Sequence, residues 1–132
     1  MIFVDSNVPM YVAGRDHPLR EPSRRFFERA RTGEIEICTS TEVLQEILYR
    51  YAALKRRDLA ATVYELFVQL CPVVFPVTLA DTDRARTIIA ENDRVTVRDA
   101  IHVAVMVNNS VNEIATFDRG FDAFDGVTRI QL

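Results

Sequence analysis

The chain has 132 residues, of which 48% are hydrophobic and 27% charged, and its net charge is −3. This length and composition predict one compact domain, residues 1–132, with its own hydrophobic core, and exclude a disordered or fibrous protein. No apolar run is long enough to cross a bilayer, and the first residues have neither the basic nor the apolar region of a signal peptide, so we expect a cytoplasmic protein without a membrane partner.

Short apolar runs alternate with segments of helical periodicity along the chain. Residues 2–4 are apolar and end at Asp5, which is typical of a buried strand. Pro9 then fits the first turn of a helix that has Ser6 or Asn7 as its cap. Asp5 therefore stands at a predicted junction between a strand and a helix.

The rest of the chain continues this alternation. Apolar residues at helical spacing predict helices at about 22–31, 42–56, 58–70, 80–91 and 97–108. Apolar and β-branched runs predict strands at 35–38, 73–77, 113–117 and 127–131. Pro76 favours a sheet edge or a strand end for the segment that contains it. The order predicts an α/β fold, a three-layer sandwich with a mostly parallel central sheet.

Four carboxylates occupy positions that such a sheet would bring together. Asp5 and Asp118 directly follow predicted apolar strands, and Asp99 opens a predicted helix. Glu46 lies a little over one turn into the helix that follows the second strand. In parallel sheets, ligands bind outside the carboxyl ends of the strands. We therefore expect these acids to converge on one cleft at that edge.

Converging carboxylates repel one another, and a hard divalent cation removes the repulsion. Mg²⁺, or Mn²⁺ in its place, prefers oxygen ligands and keeps coordination positions for water and a substrate phosphate. Such an ion can activate water for in-line attack on a phosphodiester. The acids thus predict metal-dependent phosphoryl transfer.

Each acid also has a purely structural interpretation. The alternatives are helix capping by Asp5, a capping-box acid at Asp99 with Thr96, an i,i+4 ion pair of Glu46 with Arg50, and a turn start at Asp118. These alternatives do not explain why Asp5 and Asp118 both follow apolar strands directly.

Positive charge is concentrated in arginines, because Lys55 is the only lysine. The guanidinium fork of arginine matches a phosphate, so the early arginines, represented by Arg24 and Arg25, are candidates for contacts with the phosphates of a nucleic acid. The alternative is a solvated helix face on which they pair with nearby acids. The cysteines, Cys38 and Cys71, lie in apolar contexts and are predicted to be reduced, partly buried thiols.

Four segments together resemble a known family. Residues 2–7, Ser40 with Glu46 six positions later, residues 97–104 and residues 116–121 are similar, in order, to the four motifs of PIN-domain proteins. The resemblance spans essentially the whole chain. At this length it is strongest to the VapC-type ribonuclease toxins of type II (VapBC) toxin–antitoxin systems.

The resemblance implies a Mg²⁺-dependent endoribonuclease that is inhibited by a small antitoxin protein and forms a homodimer, and that leaves 5′-phosphate and 3′-hydroxyl ends. Unpaired loops of structured RNA would be its targets, since their bases are accessible. The apolar helices around 42–70, with Leu48 and Phe67, are predicted to form the interaction surfaces. By position, the resemblance implies metal ligation by Asp5 and Asp99, an acidic pocket completed by Glu46 and Asp118, and hydrogen-bond support from Asn7 and Thr116.

Some assignments stay open at this point. Glu42 could replace Glu46 as the second acid, but only Glu46 has the family spacing from Ser40, and Glu42 could form a capping box with Thr39. His102, three residues after Asp99, is interpreted as an outward or satisfied core residue, and Asp122 as an outer acid or a surface residue. The alternative function is a catalytically inactive PIN-like protein-interaction module, which the acidic net charge favours and the presence of all four acids disfavours.

Overall fold

The computed structural model describes all 132 residues and builds them around one five-stranded sheet in which every strand pair is parallel. The strand order is β3-β2-β1-β4-β5, so the first strand of the chain is central. The strands are β1 (Ile2–Val4), β2 (Ile37–Ser40), β3 (Val73–Phe75), β4 (Glu113–Ala115) and β5 (Thr128–Arg129).

Six α-helices flank the sheet. They are α1 (Asn7–Ala13), α2 (Arg20–Arg31), α3 (Thr41–Ala53), α4 (Arg57–Leu70), α5 (Leu79–Glu91) and α6 (Val97–Asn108). A 3₁₀ turn at Arg119–Ala123 lies between the last two strands. The predicted α/β class and its parallel sheet are confirmed, and β3, which precedes Pro76, is at a sheet edge. No helix combines the length and hydropathy that a bilayer crossing requires.

The second strand begins and ends two residues later than predicted. The pairing of Ile2 with Ile37 sets its register, and the strand continues to Ser40 because Thr39 and Ser40 pair with Val74 and Phe75 of β3. The Thr39 hydroxyl also donates to the Val4 carbonyl oxygen at 3.0 Å. Thr39 is therefore part of the sheet, and the predicted capping box of Thr39 with Glu42 is wrong. Ser40 caps α3 instead, accepting a hydrogen bond from the Val43 amide.

The fourth strand ends earlier than predicted, at Ala115, so Asp118 does not follow it directly. The amides of the next residues leave the sheet and donate to side chains. The Phe117 amide donates to Asn7 Oδ1 at 3.3 Å, and the Asp118 amide donates to Thr116 Oγ1 at 3.0 Å. These bonds turn the chain towards α1 at the carboxyl end of the sheet.

The main core cluster lies on both sides of the central strand, where the side chains of Phe3 and Val4 are fully buried. Phe67 of α4 belongs to this cluster and is 2% exposed, so its assignment to an interaction surface is wrong. Leu48 is 43% exposed and is available to a partner.

Both cysteine thiols should be unreactive while the protein is folded. Cys38 and Cys71 are free and buried, and burial raises the pKa of Cys38 to about 11 and that of Cys71 to about 12. At pH 8, an alkylating reagent should therefore label neither thiol in the native protein and both in denaturant, as read by mass spectrometry.

The same pKa shifts determine a pH dependence of stability. Unfolded thiols ionise near their ordinary pKa of 9.0, whereas the folded ones stay neutral up to about 11 and 12. The free energy of unfolding should thus be insensitive to these groups below pH 9 and should fall as the pH rises above it. Rapid labelling of the native protein at pH 8 would contradict this account.

Candidate active site

Asp5 lies at the carboxyl end of the central strand, where its amide donates to the Ala115 carbonyl oxygen at 3.1 Å. Its carboxylate is 6% exposed and is held by three donors. The Ser6 amide reaches Oδ1 at 2.7 Å, while the Thr116 hydroxyl and the Asn7 amide group reach Oδ2 at 2.8 and 3.4 Å. Asn7 also donates to Thr116 Oγ1 at 3.0 Å. The two predicted supporting residues therefore contact Asp5 and each other.

Glu46 lies on α3, and its carboxylate is only 6% exposed. The Ser6 hydroxyl donates to Oε2 at 2.6 Å, and His102 Nε2 and Arg98 Nε lie 2.8 and 3.3 Å from Oε1. Ser6 therefore occupies the cap position of α1 without making a side-chain cap bond. Because its partners come from α6 and the start of α1, Glu46 does not form the alternative ion pair with Arg50.

His102 is the site residue that sequence reasoning missed. Its side chain is 1% exposed, so it does not point outward, and its Nε2 lies between Glu46 and Asp5, 3.8 Å from Asp5 Oδ1. The ring of Phe121 stacks beside it at 6.4 Å. Its Nδ1 is buried without a hydrogen-bond partner. The available signal was its i+3 spacing from Asp99, which puts both side chains on one face of α6.

Asp99 and Asp118 complete the predicted set from two different elements. Asp99 is half-buried in the first turn of α6, where its amide donates to Thr96 Oγ1 at 3.1 Å. Asp118 is exposed and accepts from the Gly120 amide at 2.8 Å. The turn start at Asp118 is therefore confirmed, whereas at Asp99 only half of the capping box forms, because Thr96 caps the helix and the Asp99 carboxylate accepts no hydrogen bond from the Thr96 amide. Neither carboxylate, however, forms an ion pair with a basic side chain.

Two other acids lie outside the cluster. Glu42 is in the first turn of α3 and makes no side-chain hydrogen bond or ion pair with the cluster residues. Asp122 is exposed and accepts two hydrogen bonds from Arg129, both at 3.1 Å. The geometry therefore brings Glu46 rather than Glu42 to the site and makes Asp122 a surface residue.

Electrostatics divide the cluster into a compensated and an uncompensated part. Burial raises the pKa of Glu46, but the hydrogen bond and charge of His102, with smaller contributions from Ser6 and Arg98, outweigh it, and the net pKa is lowered. Burial raises the pKa of Asp5 more than His102 and Thr116 lower it. The pKa of Asp99 is raised by burial and by the neighbouring charges of Asp118 and Asp5. The charge of Asp5 is thus only partly compensated by His102, and Asp99 lies among other negative charges without a basic ion-pair partner.

The donor set fits a hard divalent cation. Asp5, Asp99 and Asp118 offer carboxylate oxygens, the ligands that Mg²⁺ and Mn²⁺ prefer, and a cation would neutralise their repulsion. Asp5, Glu46 and His102 also have ligand atoms within 4.8 Å of one another. A cation bound by these three residues, however, would have to replace the hydrogen bond between His102 and Glu46. The aspartates are therefore the better match.

The five-stranded parallel sheet flanked by six helices matches the PIN-like α/β fold, and the PIN domain family model matches residues 2–127. The chain belongs to the PIN domain family. It is 38% identical to Ribonuclease VapC13 of Mycobacterium tuberculosis over 130 residues, which cover 98% of this chain and 99% of that protein. It is 39% identical to Ribonuclease VapC23 of the same organism over 118 residues, covering 89% and 93% of the two chains. The resemblance to VapC ribonucleases predicted from the four motifs is confirmed.

Solved structures share the fold at lower identity. The crystal structure of Mycobacterium tuberculosis VapC20, described as a sarcin-ricin loop cleaving toxin, has a TM-score of 0.76 at 20% identity and covers 93% of this chain and 94% of its own. The DNA-bound VapBC structure from Salmonella typhimurium has a TM-score of 0.72 at 17% identity and covers 98% of both chains.

Proposed function

We propose that this protein is a Mg²⁺-dependent endoribonuclease, with Mn²⁺ as a possible substitute, and that it is the toxin of a toxin–antitoxin pair. The observation that carries the proposal is the cluster of carboxylates at the carboxyl edge of the sheet, in which Asp5 is buried and Asp99 and Asp118 lack basic partners. The identity of 38% to a VapC ribonuclease over nearly the whole chain supports RNA as the substrate.

Each residue of the cluster has a distinct role in this proposal. Asp5 and Asp99 are the metal ligands, and Asp118 and Glu46 complete the acidic pocket, directly or through water. A bound divalent cation supplies Lewis-acid chemistry to the scissile phosphate and to the attacking water.

The supporting residues orient the acids. Thr116 and Asn7 fix the carboxylate of Asp5 through the bonds to Oδ2, and such supporting partners strongly affect metal affinity. His102 and Ser6 hold Glu46 in the same way. Arg98 uses one nitrogen on Glu46, and its remaining donors are available to stabilise charge on the phosphate.

The test is cleavage of a pool of structured RNAs with Mg²⁺, with Mn²⁺ and with EDTA. We expect cleavage only with the cations. Asp5→Asn keeps the size of the side chain but removes its charge, and we expect it to lower the cleavage rate by more than about 100-fold, which exceeds the usual cost of losing a supporting partner. Asp122→Asn is the matched control, because it loses only an exposed ion pair and should cut at the unmodified rate.

Two results would overturn the proposal. Cleavage that persists in EDTA or in Asp5→Asn would mean another site or another nuclease. Absence of cleavage, together with a melting temperature that Mg²⁺ does not raise, would favour the inactive protein-interaction module, because a ligand of the native state must stabilise it.

The proposed partners are a small antitoxin protein and a second copy of this chain, in the cytoplasm. The structural neighbours that are VapBC assemblies support the antitoxin. The homodimer is a prediction from the family resemblance, and the exposed side chains of Leu48, Leu54 and Leu66 on or next to α3 and α4 are available to a partner.

A further inference from the structure

A cleft of about 620 Å³ opens beside the acidic cluster, with α1 on one wall and α3 on the other. On α1, Asn7 and Tyr11 are four residues apart and so share one face. On α3, Glu46 is followed on the same face by Tyr49 and Arg50. Because Glu46 belongs to the acidic cluster and Asn7 donates a hydrogen bond to Asp5, the cleft is continuous with the proposed site of cleavage.

Aromatic rings line this cleft. The ring of Tyr11 is held from two sides, by His17 at 4.8 Å and by the edge-on ring of Phe117 at 5.3 Å. Tyr49 is 63% exposed and packs against no other ring. Exposed rings in a groove next to a phosphate site are what unpaired bases stack on.

Unpaired positive charge is also at this cleft. Arg50 and Arg15 line it without an ion pair. On α2, three of the five arginines are paired with acids, whereas Arg20 and Arg25 form no ion pair; the pairs are Arg24–Glu21, Arg29–Glu34 and Arg31–Glu28. Although the net charge is −3, the cleft therefore offers guanidinium groups to a phosphate. Of the two early arginines predicted to contact a nucleic acid, Arg24 is paired with Glu21 and Arg25 is unpaired.

Resting on the ribonuclease function proposed above, we propose that the cleft between α1 and α3 holds an unpaired nucleotide next to the phosphodiester that is cleaved. Its base stacks on Tyr49, with Tyr11 on the opposite wall, and a phosphate of the same strand binds Arg50. A base-paired nucleotide cannot offer its faces to these rings, so the cleft selects single-stranded RNA.

The test measures RNA binding rather than cleavage. Fluorescence anisotropy with a short single-stranded RNA, in Mg²⁺, is performed in the Asp99→Asn background, where the proposed function predicts no cutting. Tyr49→Ala should weaken binding by roughly 5- to 100-fold, the usual effect of one stacked base, and Tyr49→Phe should restore it. The exposure of Tyr49 makes unfolding of this variant unexpected, and circular dichroism checks it.

Salt dependence separates stacking from phosphate binding. Arg50→Ala should weaken binding and lower the slope of log K against log salt by about 0.7, the value for one phosphate contact on a single strand. Tyr49→Ala should leave that slope unchanged. Arg86→Ala is the matched control, because Arg86 is exposed on α5, away from the cleft, and has no ion pair.

The failures of the two proposals are distinguishable. If Asp99→Asn still cuts RNA, the proposed catalytic site is wrong. If Asp99 is required for cutting but Tyr49→Ala and Arg50→Ala bind RNA normally, the nuclease stands and the cleft proposal is overturned. Equal binding of a duplex of the same sequence would overturn it as well. The cleft proposal would also be overturned if Tyr49→Ala and Arg50→Ala bound RNA normally but lost affinity for an antitoxin protein. The cleft would then be a protein-docking groove.

Discussion

Asp99→Asn should abolish metal-dependent RNA cleavage while leaving the metal-free protein at least as stable as the unmodified one. Asp99 is half-buried, has no basic partner, and has its pKa raised by burial and by Asp118 and Asp5. At neutral pH its charge therefore costs folding free energy, and the cation would compensate that cost. The amide removes the charge and, with it, a proposed metal ligand.

The prediction is checked by rates and melting temperatures measured together. The cleavage rate in Mg²⁺ should fall by more than about 100-fold, since a direct ligand should matter more than a supporting residue. In EDTA, the melting temperature of the variant should equal or exceed that of the unmodified protein. Added Mg²⁺ should raise the melting temperature of the unmodified protein more than that of the variant.

Asp93→Asn is the control for a general charge effect, because Asp93 is exposed in the turn before α6 and forms no ion pair. It should change neither the rate nor the response to Mg²⁺. An Asp99→Asn variant that cuts at the normal rate, or that is clearly less stable in EDTA, would contradict the role assigned to this carboxylate.

Phe121→Ala should lower the free energy of unfolding by about 3–5 kcal/mol. Phe121 is fully buried in the 3₁₀ turn after Asp118, and its ring lies 6.4 Å from that of His102 and 6.0 Å from that of Phe124. Truncation leaves a cavity beside His102. Since a domain of this size is stable by only about 5–15 kcal/mol, the loss is a large fraction of the total.

Urea denaturation measures this loss, and two further variants calibrate it. Phe121→Leu keeps most of the volume and should cost less than Phe121→Ala. Leu79→Ala, at a residue that is 76% exposed, should change stability by no more than about 0.5 kcal/mol. The cleavage rate of folded Phe121→Ala should also fall. The cavity gives the His102 ring room to move, and His102 is the residue that holds Glu46. Equal midpoints for the Phe121→Ala and Leu79→Ala proteins would contradict the buried role.

Local patterns in the sequence were sufficient to predict the helices and strands and their order along the chain. The helix predicted at 97–108 is found with those bounds, because apolar periodicity and the Thr96 cap are both local signals. The parallel α/β arrangement follows from alternating strands and helices. The bounds of β2 and β4 were not predictable in this way, because they depend on distant segments: β2 ends where it stops pairing with β3, and the chain leaves β4 towards Asn7.

The amino-acid sequence by itself determined the fold class, the family and the four acids expected at one edge of the sheet. Only the tertiary structure decided how those acids are partnered: Ser6 and His102 reach Glu46 across 40 and 56 residues, and Asn7 reaches Thr116 across 109. The tertiary structure also leaves Arg50 without an ion pair, because Glu46 pairs with Arg98 instead. Periodicity and capping report only on neighbours within a turn or two, whereas the charge and hydrogen bonding of a buried carboxylate depend on whichever side chains packing brings within about 3 Å.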